Sequence, residues 1–123
     1  MDKIKFGILS TAKIGRKKVI PAMQQSSYCD VAAIASRSLE RAENIAGKMD
    51  IEKSYGSYQN LLRDPNIDAV YIPLPNNMHV CWTKKALKAG KHVLCEKPIG
   101  CSAEEAEDLM RFKQDYTDLL VME

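Results

Sequence analysis

A lysine at the end of an apolar segment is the residue best placed for chemistry in this sequence. Residues 92–95, reading His-Val-Leu-Cys, have the character of a short strand, and Glu96, Lys97 and Pro98 follow directly. Open α/β sheets bind ligands beyond the carboxyl ends of their strands, and a proline holds the residue before it in extended geometry. Lys97 is therefore predicted at a stiff corner, with an ammonium that can donate hydrogen bonds to a ligand. The alternative is a surface lysine after an edge strand.

The first strand-to-helix turn is a second candidate for ligand binding. Residues 10–15 read Ser-Thr-Ala-Lys-Ile-Gly, whereas a dinucleotide-binding turn has glycine at the first, third and sixth of these positions. Only Gly15 keeps that pattern. Serine and alanine are small enough for a pyrophosphate to approach the amides at the helix N-terminus, and two hydroxyls can add hydrogen bonds. The candidate cofactor contacts in this turn are Ser10, Thr11, Ala12, Lys13 and Ile14. A plain strand–turn–helix connection is the alternative.

The residues after the second strand predict which dinucleotide would bind. NAD-binding folds place an acidic residue there for the ribose hydroxyls, whereas an arginine accommodates the 2′-phosphate of NADP. This sequence has Ser36, Arg37 and Ser38, and Arg41 follows one helical turn later. A guanidinium can hold a phosphate through charge-assisted hydrogen bonds. The pattern predicts a preference for NADP(H), with NAD(H) possible. Alternatively, Ser38 merely caps a helix and Arg37 is solvated.

The loop after the fourth major strand is placed to border a nicotinamide. It begins at Pro73 and Leu74 and continues through Asn76 towards His79, the expected first residue of a helix. The positive end of the helix dipole disfavours an imidazolium at that position. A histidine there can be a structural residue or a catalytic one, and the sequence leaves both interpretations open.

Hydrophobic periodicity alternates between strand and helix along the whole chain. Strands are predicted at 4–9, 31–35, 54–56, 68–72, 92–95 and 119–122. A first helix is predicted from Lys13, with a break near 19–20 and a restart with Pro21 in its first turn. Further helices are predicted from 38, 58, 79 and 102. Gly90 is expected to end the fourth helix. This alternation predicts an α/β fold with a doubly wound, Rossmann-type parallel sheet, formed as a single domain by residues 1–123.

Composition excludes several classes of function. The chain has 123 residues, the size of one domain, and its 18 basic and 16 acidic residues are interspersed and leave a net charge of +2. Neither a nucleic-acid partner nor a membrane partner is expected. The four cysteines form no Cys-x-x-Cys pair, which favours reduced thiols in a cytoplasmic protein and no metal site.

Four segments, residues 10–15, 35–38, 73–79 and 95–98, together resemble the N-terminal nucleotide-binding domain of one family. It is the glucose–fructose oxidoreductase/inositol dehydrogenase (Gfo/Idh/MocA) family. The likeness covers the whole chain and is greatest to NADP-dependent sugar and trans-dihydrodiol dehydrogenases. It implies hydride transfer between NADP(H) and a sugar, polyol or dihydrodiol-like substrate. It also implies that Lys97 is catalytic, that Glu96 orients it and that the Lys97–Pro98 peptide is cis. Asn76 and His79 would line the nicotinamide side of the pocket.

The resemblance also implies parts that this sequence does not contain. Family members continue into a C-terminal α+β domain, which carries the pocket for the small-molecule substrate and the interface of a homo-oligomer. We therefore expect the chain to be a cofactor domain that is inactive by itself. Two alternatives are a nucleotide sensor of the same fold that never turns over and a Rossmann-like scaffold without a ligand. A sensor has no evident need for a lysine at the position of Lys97.

Overall fold

Six short strands form one parallel sheet in the computed structural model, which describes residues 2–123. The strands are β1 (Ile4–Leu9), β2 (Cys29–Ala35), β3 (Lys53–Tyr55), β4 (Ala69–Ile72), β5 (His92–Cys95) and β6 (Val121–Met122). Their order across the sheet is β3-β2-β1-β4-β5-β6, and every neighbouring pair is parallel. The predicted doubly wound α/β class is confirmed.

The strand order reverses between β1 and β4. From β1 the chain winds outward through β2 to β3, and from β4 it winds in the opposite direction through β5 to β6. The connections leaving β1 and β4 diverge at this switch point, so a crevice opens between them at the carboxyl end of the sheet. In the register between β4 and β5, Ile72 lies opposite Cys95, so the loops that follow both strands begin at the same level.

Five α-helices connect the strands within residues 2–123. They are α1 (Ile20–Gln25), α2 (Leu39–Met49), α3 (Tyr58–Leu62), α4 (His79–Lys88) and α5 (Ala103–Lys113). Serine side chains cap three of them, because Ser38, Ser57 and Ser102 each accept a hydrogen bond from the amide three residues later. Gly90 has φ +80° and ends α4 as predicted, with its amide donating to the Leu87 carbonyl. None of the helices in residues 2–123 has the length and apolar character needed to cross a bilayer.

Helix α1 begins at Ile20 with Pro21 in its first turn, as predicted, but the expected break before it is wrong, because the chain remains helical there. Residues Gly15–Val19 form a π-helical turn that continues directly into α1, and both Val19 and Ile20 have right-handed helical dihedral angles. Proline lacks an amide donor, and its ring clashes with the carbonyl four residues earlier in a regular α-helix. A wider turn, with the Ile20 amide bonded to the Gly15 carbonyl, precedes the proline and keeps the helix continuous.

The last strand is shorter than predicted. Residues 119–122 are apolar, but only Val121–Met122 form β6. The Leu119 amide donates instead to the Tyr116 carbonyl at 3.1 Å, which closes a turn after α5. Leu120 and Met122 leave their side chains exposed on this edge of the sheet. Apolar character predicted a strand over residues 119–122, but the first residues of that segment belong to the turn instead.

Each face of the sheet carries its own hydrophobic core. One cluster includes Leu61 of α3 and Leu87 of α4, and the other includes Ile20 of α1 and Tyr71 of β4. Helix α3 lies very close to β1, since a Cβ atom at Gly7 would be 2.5 Å from Leu61 Cδ2. The absence of a side chain at position 7 is therefore what lets the helix approach the central strand.

Gly7→Ala should destabilise the chain by about 1–3 kcal/mol, because the added methyl group overpacks the buried Leu61 side chain. Gly47→Ala is the matched control. Gly47 lies in α2 with nothing within 4 Å of a built Cβ, so alanine there should stabilise by about 0.5–1 kcal/mol. Urea unfolding of the three proteins measures both changes. Equal effects of the two substitutions would contradict the close approach of α3.

A buried carboxylate joins β3 to the loop before β4. Asp64 accepts hydrogen bonds from the Tyr55 hydroxyl at 2.7 Å, the Lys53 ammonium at 3.0 Å and the Asn66 amide at 2.9 Å. Burial by itself raises the pKa of Asp64, but these hydrogen bonds and the Lys53 charge outweigh it and lower the pKa to about 2. The folded state therefore favours the ionised carboxylate.

Acid should weaken the fold through Asp64. Its folded-state pKa of about 2 lies below the ordinary value of 3.8, so its stabilisation is complete above pH 4 and disappears as the pH falls towards 2. The expected loss is about 2 kcal/mol. Unfolding free energies measured between pH 6 and pH 2 should show it, and Asp64→Asn should flatten this part of the profile. An unchanged profile in the variant would assign the acid sensitivity to other groups.

Candidate functional site

The turn after β1 has the backbone geometry of a glycine-containing turn, although serine stands where the first glycine would be. Ser10 has φ +143°, a conformation that favours glycine, and its Oγ accepts a hydrogen bond from the Ala12 amide at 2.8 Å. Ser10 and Thr11 are nearly buried, whereas Lys13 and Ile14 are exposed. Because the Ser10 Oγ acts as an acceptor inside the turn, its O–H group is left to donate outward. That arrangement suits a negatively charged group above the turn.

Two arginines are attached to this turn through Thr11. Arg16 Nε donates to the Thr11 carbonyl at 2.8 Å, and Arg41 Nε donates to Thr11 Oγ1 at 2.7 Å. Both bonds use the Nε atom, so the terminal nitrogens of each guanidinium can bind other groups. Arg41 belongs to α2 and Thr11 to the β1 turn, and the contact therefore links the ends of two neighbouring strands.

The segment after β2 presents Arg37 between two serines that have structural roles. Ser36 Oγ accepts from the Ser38 amide at 3.2 Å, and Ser38 Oγ accepts from the Arg41 amide at 3.3 Å as the cap of α2. Arg37 is exposed. The capping role that the sequence offered for Ser38 is thus present, and it leaves Arg37 at the rim of the crevice.

A cavity of about 870 Å³ occupies the crevice at the switch point. It is lined by Ser10, Thr11, Ala12, Lys13, Arg16, Ser36, Arg37, Ser38, Arg41, Tyr58, Pro73, Leu74, Pro75 and Met78. Four of these residues are cationic and none is acidic. A second cleft, at the amino end of the sheet, combines Lys5 and Lys53 with Asp30, Asp50 and Glu52. Unlike that mixed cleft, the cavity at the carboxyl end has a uniform positive charge, which suits a polyphosphate ligand.

Sequence reasoning found ten of these fourteen residues and missed the other four. Arg16 was missed although it begins the first helical turn after Gly15, where an arginine can reach back to the turn. Tyr58 comes from α3, a helix to which the sequence assigned no ligand. Its ring contacts Trp82 edge-on, with 5.2 Å between centroids. Pro75 and Met78 extend the predicted loop after β4.

The corner after β5 has the backbone form that the resemblance implied. The Lys97–Pro98 peptide is cis, and Lys97 is exposed. The Glu96 carboxylate accepts a hydrogen bond from the Tyr71 hydroxyl at 2.6 Å, and within residues 2–123 it forms no ion pair with Lys97. Burial, reinforced by this carboxylate, raises the pKa of Tyr71 well above its ordinary value, so the phenol stays protonated and donates. Tyr71 thereby fixes the residue before Lys97.

His79 does not lie on the surface of the crevice, contrary to the expectation that it lines the nicotinamide side. Its side chain is fully buried beneath the loops. Nδ1 is 2.6 Å from the Pro98 carbonyl oxygen and Nε2 is 2.7 Å from the Leu74 carbonyl oxygen. Both ring nitrogens are therefore occupied by backbone, which favours the structural interpretation of this histidine. Asn76 is exposed in the short 3-10 turn Asn76–Met78.

Five predicted site residues lie outside the cavity wall: Ile14, Asn76, His79, Glu96 and Lys97. Ile14 points to solvent with 47% of its surface exposed. Glu96 and Lys97 follow β5, the strand next to β4, so the corner adjoins the loop formed by Pro73 and Leu74. The structure thus brings the turn after β1, the end of β2 and the loop after β4 into one cavity, with the Lys97 corner beside it.

Comparison with known proteins agrees with this geometry. Residues 4–123 match the Gfo/Idh/MocA oxidoreductase family in the part described as its NAD-binding Rossmann fold. The chain belongs to this family. The match begins at β1 and includes β6, so every strand of the sheet is part of it. The recognition made from the turn, the Ser-Arg-Ser segment and the Glu-Lys-Pro corner is confirmed.

Two relatives and one solved structure show how far the likeness extends. D-xylose 1-dehydrogenase (NADP(+)) 2 of Haloferax volcanii is 51% identical over 110 residues, 89% of this chain and 34% of that protein. Trans-1,2-dihydrobenzene-1,2-diol dehydrogenase of Mus musculus is 38% identical over 87% of this chain and 32% of that protein. KijD10, a 3-ketoreductase from Actinomadura kijaniata solved with NADP, superposes with a TM-score of 0.91 at 37% identity, covering 98% of this chain and 38% of that one. The chain spans about a third of the length of these relatives.

Proposed function

We propose that this chain is the NADP(H)-binding domain of an oxidoreductase that acts on a sugar, a polyol or a dihydrodiol-like substrate. The observation that carries the proposal is the cavity at the switch point, whose wall includes Lys13, Arg16, Arg37 and Arg41 and no carboxylate. NADP carries one more phosphate than NAD, and an acidic residue after β2 would repel it. The name of the Haloferax dehydrogenase includes NADP(+), and KijD10 was solved with NADP, and both facts support the choice of cofactor.

Each part of the cavity suits one part of the cofactor. Arg37 and Arg41, beside Ser36 and Ser38, would hold the 2′-phosphate through charge-assisted hydrogen bonds. The amides of Lys13 and Ile14 and the hydroxyls of Ser10 and Thr11 would hold the pyrophosphate at the start of the π-helical turn. Pro73, Leu74 and Asn76 would border the nicotinamide ring, which accepts hydride as NADP+ and supplies it as NADPH when the cofactor is bound.

Lys97 would act on the substrate oxygen beside the nicotinamide. An ammonium held at this corner can donate a hydrogen bond to the oxygen as its charge changes during hydride transfer. Glu96 would act on Lys97 through the backbone, because its carboxylate is bonded to Tyr71. An exposed lysine beside the crevice favours an enzyme over a sensor that only binds the nucleotide.

The relatives also supply a proposal for the whole protein. Since the chain spans about a third of their length, we propose that a further domain binds the small-molecule substrate and that the complete protein forms a homo-oligomer. The four cysteines are free, which is the state kept in a reducing compartment such as the cytoplasm. Sedimentation of a protein that carries both domains would test the assembly.

Calorimetric titration of the chain with NADPH and NADH tests the proposed cofactor. We expect NADPH to bind more tightly than NADH by about tenfold or more, since hydrogen bonds to charged groups contribute about 1.5–3 kcal/mol. NADPH at a hundred times its dissociation constant should also stabilise the fold by about 2.7 kcal/mol in thermal unfolding. Binding of neither nucleotide would refute the proposal, and equal binding of both would refute the 2′-phosphate site.

A further inference from the structure

His79 connects the two loops that face the proposed nicotinamide position. It is the first residue of α4, and its ring lies fully buried between the loop after β4 and the loop after β5. Nε2 contacts the carbonyl of Leu74 in the first loop, and Nδ1 contacts the carbonyl of Pro98 in the second. A single side chain thus fixes the distance between two segments that are far apart in sequence.

Lys97 depends on its neighbours for its position. Within residues 2–123, no hydrogen bond or ion pair is formed by Lys97 itself. The residue before it is held by the Tyr71 hydroxyl, and the residue after it is held by His79. Tyr71 belongs to the hydrophobic cluster on the α1 and α2 side of the sheet, whereas α4 contributes to the cluster on the opposite side. The lysine corner is therefore anchored from both faces.

The Nε2 atom of His79 holds a residue of the cavity wall. Leu74 lines the cavity beside Pro73, and its carbonyl oxygen is 2.7 Å from Nε2. Removing the imidazole would leave the carbonyls of Leu74 and Pro98 without this partner, and the first loop would have to move to find another for the buried Leu74 carbonyl. The adenosine end of the cavity would be unaffected, because it is built from the β1 turn and the segment after β2.

We propose that His79 is a positioning residue that sets the nicotinamide half of the cofactor site without touching the cofactor. It does so by fixing the Leu74 wall and the Lys97 corner at one separation. This inference rests on the proposed function, since it concerns the nicotinamide of a bound NADP(H). It assigns to the buried histidine a role in ligand binding that differs from general support of the fold.

Two ligands separate this role from a purely structural one. NADPH occupies both halves of the site, whereas 2′,5′-ADP carries only the adenosine half with its 2′-phosphate. His79→Leu fills the same space with an apolar side chain that has no hydrogen-bond donor. It should weaken the binding of NADPH by about tenfold and change the affinity for 2′,5′-ADP by less than about twofold. His79→Asn and His79→Gln each keep one amide donor and should recover part of the loss of NADPH affinity.

The second histidine of the chain provides the matched control. His92 begins β5 at the opposite end of the sheet, and its Nδ1 accepts a single hydrogen bond from the Leu120 amide. His92→Gln should leave both ligands unchanged. Equal losses of affinity for NADPH and for 2′,5′-ADP in the His79 variants would overturn the proposal, and so would the absence of any loss of affinity. If the unsubstituted chain binds neither ligand, the proposed function fails instead.

A measurement on the unsubstituted chain keeps the test valid if His79→Leu does not fold. The chain has two histidines, so their ring nitrogen resonances can be assigned readily by NMR. NADPH should shift the His79 ring resonances, 2′,5′-ADP should leave them in place, and neither ligand should move those of His92. Equal shifts of His79 with the two ligands, or none with NADPH, would overturn the proposal.

Discussion

Arg37→Ala should weaken binding of NADPH by about tenfold to a hundredfold and leave binding of NADH nearly unchanged. The guanidinium stands at the rim of the crevice where NAD-binding folds place an acid, so its hydrogen bonds would go to the 2′-phosphate. Such charge-assisted bonds contribute about 1.5–3 kcal/mol, which corresponds to the expected loss. Calorimetry with both nucleotides measures the two dissociation constants directly.

Arg63→Ala is the control for the change in charge. Arg63 is also an exposed arginine, but it caps the C-terminus of α3 and does not line the cavity at the switch point. Its replacement should leave both affinities as they are. Equal losses of affinity for NADPH and NADH in Arg37→Ala would mean that this arginine contacts a part of the molecule that the two cofactors share. Arg41, which Thr11 holds in place, would then be the remaining candidate for the 2′-phosphate.

Lys97→Met should lower kcat by about two to three orders of magnitude in a complete enzyme and change NADPH affinity by only a fewfold. A preorganised donor at the substrate oxygen acts on charge that develops in the transition state, so its loss affects turnover more than binding. The Haloferax relative offers a test. Its matching segment can be replaced by this chain, and oxidation of D-xylose by the chimera can be followed.

The chimera requires its own controls. The unsubstituted chimera must turn over, and Lys48→Met, on the exposed surface of α2, should leave kcat intact. A chimera with Lys97→Met that keeps most of its kcat would show that Lys97 contacts only the cofactor. The groups acting on the substrate oxygen would then belong to the part of the Haloferax protein that this chain does not replace.

The strand and helix pattern of this chain was largely readable from local sequence. Buried strands are short apolar runs, serine caps stand before three helices, and Gly90 supplies the left-handed residue after α4. The two errors have a common cause. The continuous helix through Pro21 and the short β6 both depend on which backbone hydrogen bonds form, and hydrophobic periodicity does not report that.

The site was predictable where a motif carries the chemistry and unpredictable where tertiary contacts do. The β1 turn and the Ser-Arg-Ser segment can be recognised from residue type and position. By contrast, the bond from Tyr71 to Glu96 spans 25 residues, and the bond from His79 to Pro98 spans 19. The sequence singled out Glu96 and His79 but not the partner of either, so only the folded chain reveals that Tyr71 and His79 anchor the Lys97 corner.

The contact between Tyr58 and Trp82 gives this protein an optical reporter of its own. Trp82 is the only tryptophan of the chain, and its indole lies edge-on against the ring of Tyr58, which forms part of the cavity wall. A ligand that settles against Tyr58 will therefore alter the surroundings of a single fluorophore. Reduced nicotinamide absorbs light in the range where indole emits, so NADPH should also quench Trp82 by energy transfer. Occupancy of the crevice can thus be followed in unlabelled protein.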